Sequence, residues 1–241
     1  MIDSIDQTHR NAARAVGGAY LLTSALAWFA EFHVRARLID YASAAKTFAN
    51  ILASESLFRW ALAADILTFA LQVIIIVGSY LILRPVSRSL ATFGLAWRLI
   101  ETALVAVMAI NTFEILTLVS GSAYLRAMPA EQLQAMVRMA IEAHNAGYNV
   151  GFVFFGLGSG SFCLAWYRSR YIPRVLAAWG VVGSLLAAAS TFFYTLSPAL
   201  TRIIEPTCFV PIGTFELIVG FWLLLKGLPR ATGAARQTAR A

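Results

Sequence analysis

The sequence predicts an all-α fold: a polytopic membrane helix bundle of six transmembrane helices, with the N- and C-termini both cytoplasmic. Three observations predict it. The chain is 59% hydrophobic and 13% charged, with a mean hydropathy of +0.71, which is more apolar surface than a water-soluble domain can hide. Several apolar runs of about 20 residues are almost free of charge, the length that crosses a hydrocarbon core roughly 30 Å thick. The basic residues are also sorted by position. The links RPVSRS and YRSRYIPR carry Arg84, Arg88, Arg168, Arg170 and Arg174; the N-terminal arm adds Arg10 and Arg14, and the tail adds Lys226, Arg230, Arg236 and Arg240. These eleven meet only Asp3 and Asp6, whereas the seven basic residues of the opposite side are balanced by acids. Such a bias marks the cytoplasmic face. The net charge of +7 is therefore a topology signal, and nucleic acid is not an expected partner.

The chain divides into a cytoplasmic arm over 1–11, a transmembrane domain over 12–226 and a basic tail over 227–241. Spans are expected at about 12–33, 57–83, 90–119, 145–167, 174–197 and 202–226. The arm MIDSIDQTHRNAAR is polar and has no cleavable-signal pattern, so the first apolar run is expected to stay as a membrane anchor. Span one ends in Glu31-Phe32-His33, and span four opens from Glu142-Ala143-His144. Two Glu-x-His pairs could be halves of a metal site. Side chains two apart on a helix diverge, however, so interfacial hydrogen bonding is the expectation and no metal is assigned.

Between spans one and two, Tyr41, Ala45, Phe48, Ile51 and Leu52 recur at helical spacing. The pattern fits a short amphipathic helix on the outer surface, or equally a capping loop. Span two carries Asp65 and Gln72, seven apart and so on one face. Asp65 falls roughly 12 Å below the outer surface by helical rise, and Arg98 of span three is its expected counter-charge.

Span three, within LATFGLAWRLIETALVAVMAINTFEILTLVS, holds Arg98, Glu101, Asn111 and Glu114 inside its apolar run. Arg98 lies about 12 Å along the helix from its arginine-rich end, and Glu101 falls near the bilayer centre. An ionised group there costs at least about 2.5 kcal/mol, so it must pair, neutralise or meet water. Glu101 and Asn111 are expected on nearly one face, with Glu114 displaced only modestly around the helix.

Span four is expected to begin as a polar stalk after Pro129, a residue suited to a first helical turn. His144, Tyr148 and Asn149 descend from it. Gly147 with Gly151, and Gly156 with Gly160, have the small-xxx-small spacing of close helix packing. Cys163 and Cys208 sit in apolar runs and are read as buried free thiols. Span five is read as packing. In span six, Glu205-Pro206 and Pro211 interrupt the outer end and Glu216 lies deep. That interruption is either a kink or a break that lines a pocket.

The stretches AEFHVRARLI, FANILASESLFRWALAADIL, WRLIETALVAV, AHNAGYNVGFVFFGL and SRYIPRVLAAWGVVG resemble the bacterial multi-pass membrane proteins grouped as domain of unknown function 4386. The segment from His144 to Leu157 and the Arg98/Glu101 pair carry the resemblance most specifically. It implies a six-helix protein of the bacterial plasma (inner) membrane and no assigned reaction.

The deep groups Asp65, Arg98, Glu101 and Glu216 hold three acids against one arginine. A carboxyl without a counter-charge in hydrocarbon keeps its proton and can then donate or relay it. With the outer groups, they are expected to form one pocket open toward the outer half of the membrane. Glu101, His144 and Glu114 are its candidate acids and bases, and Asp65, Arg98, Asn111, Tyr148, Asn149, Glu205 and Glu216 are its candidate binding residues. Its expected occupant is a small hydrophobic or amphiphilic molecule. Three functions fit: an enzyme acting by acid/base chemistry on a lipid-like or isoprenoid-like molecule, a small proton-coupled transporter, or a binding or structural protein whose polar groups lock helices together. Transport lacks a convincing internal repeat, and enzymology lacks a recognised catalytic spacing. No pattern specifies a cofactor or an oligomeric state.

Overall fold

Seven helices follow from these runs. The computed structural model describes residues 7–122, 125 and 127–229, and within 198–207 the backbone alone. Helix α1 spans Gln7–Leu38, α2 Ala44–Ala53, α3 Glu55–Leu83, α4 Arg88–Val119, α5 Ala130–Ser169, α6 Arg174–Leu196 and α7 Pro198–Leu225. All but α2 supply a segment long and apolar enough to cross a membrane, so this is a multi-pass membrane protein.

Helix ends sit where the local chemistry stops them. Ser87 caps α4 by accepting from Leu90 N at 3.4 Å, and Ser43 caps α2 by accepting from Lys46 N at 3.2 Å. Pro129 and Pro173 stand immediately before α5 and α6. Gly121 (φ +67°) and Gly227 (φ +65°) turn the chain after α4 and α7 in the left-handed conformation that glycine adopts freely.

The six long helices form a ring in which each packs on the next and α7 returns to α1. The closure is tight: a Cβ at Gly17 would lie 2.6 Å from Leu224 N, so only a residue without a side chain lets the two backbones meet there. Helix α2 rests chiefly on α5, at the end opposite the arginine-rich links. Asp40 organises the turn before it, accepting from Ala42 N at 2.9 Å and pairing with Lys46 at 2.9 Å. Of the two readings left open for residues 34–56, the helix is what forms.

Three elements differ from expectation. Helix α1 runs past the anticipated end at 33 to Leu38, and its turns widen to a π-helix over Phe29–Arg35. This places Arg35 within the helix rather than in a loop. Helix α5 is one rod of 40 residues, about 60 Å long, so the stalk and the span are continuous. Helix α7 passes Pro206 and Pro211 without interruption. Proline removes one N–H and crowds one carbonyl; here the backbone stays helical through both, so the expected break is absent.

The buried apolar side chains fall into two clusters. One gathers Val16, Ile75, Ile82, Phe162, Trp166 and Leu223 toward the arginine-rich end. The other gathers Val34, Phe58, Leu62, Ile115, Val137 and Ile141 toward the far end. Between them, α1, α3, α4 and α5 each bury polar side chains (Thr23, Asp65, Arg98 with Glu101, His144 with Asn149). The interior is thus a polar belt between two apolar plugs.

Candidate functional site

The belt begins in the far half with Arg35. Its guanidinium donates to both carboxylate oxygens of Asp65 and, at 2.6 Å, to Glu31 Oε1. Arg35 and Asp65 are buried, whereas half of the Glu31 side chain is exposed. The expected Asp65–Arg98 pair does not form. Its physical reason lies in α1: the helix continues through the π-turn and delivers a nearer guanidinium to α3. Wide turns of this kind recur at functional positions.

Seven residues further along α3, on the same face, Gln72 accepts from Arg98 Nη2 at 2.5 Å. Arg98 is only 2% exposed. Its Nη1 stands 3.3 Å from Glu101 Oε2, one turn along α4. That contact is within ion-pair range, yet its angles do not make a hydrogen bond, and Nη1 finds no other hydrogen-bond partner. The Arg98 guanidinium also lies over the Phe155 ring, 4.3 Å from its centroid. A Cβ at Gly158 would come 2.6 Å from Arg98 Cγ; the bare backbone of α5 makes room for the arginine stem. Thr102 Oγ1 donates to Glu101 Oε2 at 3.3 Å. Glu216 of α7 is half-buried and within electrostatic range of Arg98 and Glu101.

His144 is buried between α4 and α5, its Nδ1 3.3 Å from both Thr112 Oγ1 and the Met108 carbonyl. A carbonyl only accepts, so this contact assigns the proton to Nδ1 and leaves Nε2 as the basic nitrogen of the neutral ring. One turn on, Tyr148 stacks against His144 with centroids 4.7 Å apart. The charges of Asp65, Arg35, Glu31 and Glu101 all act on Tyr148, which places it between the two ionic clusters. Asn149 Nδ2 donates to Asn145 O at 3.0 Å, and its own carbonyl accepts from Thr191 of α6 at 2.5 Å.

Two expected members lie elsewhere. Glu114 is exposed, because thirteen residues at about 100° each turn through roughly 220° and carry it to the side opposite Glu101. Asn111 is half-buried and donates to Met108 Sδ at 3.6 Å rather than to a carboxylate. Glu205 falls among the residues whose side chains lie outside the described set. The residue that shares the Glu101 face is Thr112, eleven positions on and within about 20° of it, and it is the one that touches His144. The same arithmetic could have found Thr112. Nothing local could have found Arg35.

The two Glu-x-His pairs stay apart. His33 stacks on Phe29 with centroids 5.7 Å apart, and Glu142 pairs with Arg138 at 2.7 Å. Among the described residues, no three of His, Cys, Asp and Glu gather as metal ligands would. The single open pocket anticipated for Glu101, His144 and Glu114 is replaced by a belt. His144 and Glu101 enter the same α4–α5 seam, Glu114 does not, and an apolar plug stands between them and the far end.

Residues 15–227 match a protein family described as Domain of unknown function (DUF4386). No curated protein matches the chain, and no solved structure does.

Proposed function

Because this chain belongs to the DUF4386 family, whose description names no reaction, we propose its function from the belt: it takes up a bilayer-soluble amphiphile and moves a proton to or from it. The observation that carries this reading is the position of the belt, with charged groups at mid-depth and an apolar plug toward each aqueous face. A ligand that meets these groups arrives most easily from the lipid, so its chemistry is lipid-like or isoprenoid-like. Ionisable groups are costly in hydrocarbon and are kept there for chemistry or transport. Glu101, held by one ion pair and one hydroxyl, is the acid of this reading. His144 Nε2 is the base, and Arg98 Nη1 is the donor available to an oxygen of the ligand. Asp65 and Arg35 orient Tyr148 from the other side.

A total lipid extract containing isoprenoid alcohols, incubated with reconstituted protein and followed by untargeted mass spectrometry, tests the reading. A lipid species should change mass with the wild type and stay unchanged with folded Glu101→Gln or His144→Ala. If the extract is unaltered while liposomes acidify in a Glu101-dependent way, the belt serves proton-coupled transport instead. The relay of two ionic clusters bridged by Tyr148 favours that second reading.

For the topology we propose that both termini are cytoplasmic and the membrane is the bacterial inner membrane, from the charge bias of the links. Cysteines introduced near residues 40 and 125 should react with an impermeant thiol reagent in intact cells. Reaction only after the inner face is opened reverses the orientation.

A further inference from the structure

A second polar site lies outside the belt, where α1 and α7 meet at the arginine-rich end. A cavity of about 340 Å³ there is lined by Arg10, Arg14, Tyr171, Trp222 and Lys226, and by the turn at Gly227. Three cations face it and its lining includes no acid. Each cation is positioned by its neighbours. Arg10 donates to Gln7 Oε1 at 2.7 Å from Nη2. Lys226 Nζ stands 4.2 Å from the centre of the Trp222 ring. The backbone N–H groups of Lys226 and Gly227 close the end of α7 on the Trp222 carbonyl at 2.9 and 3.1 Å, which fixes the wall that carries Lys226. Tyr171 is buried and lies outside the spans; burial pushes its hydroxyl above the ordinary value, so it remains a neutral O–H donor. Exposed Leu225 borders the cavity on the α7 side.

We propose that this cavity binds the phosphate of an anionic phospholipid headgroup in the adjoining leaflet. Cations gathered between helix ends at interface depth are the feature that recognises such headgroups, and an indole at that level suits the headgroup layer. The apolar wall beside the cations favours a lipid phosphate over a free one, because the acyl chains then lie along α7. The inference is independent of the chemistry proposed for the belt.

Native mass spectrometry of the full chain, released from nanodiscs of phosphatidylcholine with or without phosphatidylglycerol, tests it. The wild type should retain phosphatidylglycerol in preference to phosphatidylcholine. Arg14→Gln and Lys226→Gln should each lower that preference about fivefold, corresponding to roughly 1 kcal/mol per basic residue near an anionic surface. Arg88→Gln, at the same end and outside the cavity, should leave it unchanged. Equal retention of the two lipids overturns the proposal, as does an Arg88→Gln effect as large as that of Arg14→Gln. Inorganic phosphate that raises the unfolding temperature in detergent as much as phosphatidylglycerol does would assign the site to a soluble ligand and overturn the lipid assignment. Both variants replace exposed side chains, and an unchanged circular-dichroism melt verifies folding.

Discussion

Arg98→Met is expected to destabilise the folded protein by about 3–5 kcal/mol, the cost of stranding one partner of a buried ion pair. The substitution keeps an apolar stem of similar length in the slot beside Gly158 but removes the charge facing Glu101. Glu101 then retains only the Thr102 hydroxyl, and Gln72 loses its donor. Adding Glu101→Gln should recover most of the loss, since a neutral amide costs far less to bury than an unpaired carboxylate. Arg98→Lys should not rescue: one compact ammonium cannot reach Gln72, face Glu101 and stack on Phe155 together. Unfolding in mixed micelles with a denaturing detergent measures all three. Wild-type stability in Arg98→Met, or no recovery in the double variant, would show that the pair is not coupled.

The second large effect belongs to Arg35. Arg35→Leu strands Asp65 and should cost about 3 kcal/mol or more, by the same penalty for an uncompensated buried charge. Arg35→Leu with Asp65→Leu should be markedly more stable than Arg35→Leu alone. The exposed pair of Arg59 with Glu55, 2.6 Å apart, is the internal control; Arg59→Ala should cost less than about 1 kcal/mol. Salt separates the two further. Screening weakens the exposed pair and leaves the buried one nearly unaffected. If Arg35→Leu behaves like Arg59→Ala, the ionic cluster does not hold α1 to α3.

Both predictions concern pairs whose legibility differed. Arg98 and Glu101 are three apart on one helix, and helical periodicity alone brings them together. Asp65 also announced itself as a buried charge in need of a partner, but its partner lies thirty residues away. The wrong arginine was the natural choice, because the apolar run of span one fades near His33 and Arg35 reads as the start of a loop. Glu114 is a different failure. Its face follows from 3.6 residues per turn, and counting thirteen residues as nearly whole turns placed it inward when the geometry places it outward.

By itself, the sequence determined the class, the six spans, the seven-residue step from Asp65 to Gln72 and the glycines that let helices approach. These follow from composition and from short-range periodicity, which act within one helix and need no knowledge of its neighbours. Tertiary structure alone decided that Arg35 rather than Arg98 meets Asp65, that α7 passes its prolines unbroken, and that the polar groups form a belt between two apolar plugs. Each of these depends on which helices become neighbours and at what depth their side chains face one another. In a bilayer a buried charge takes whichever partner the packing brings within reach, because hydrocarbon offers no water in its place.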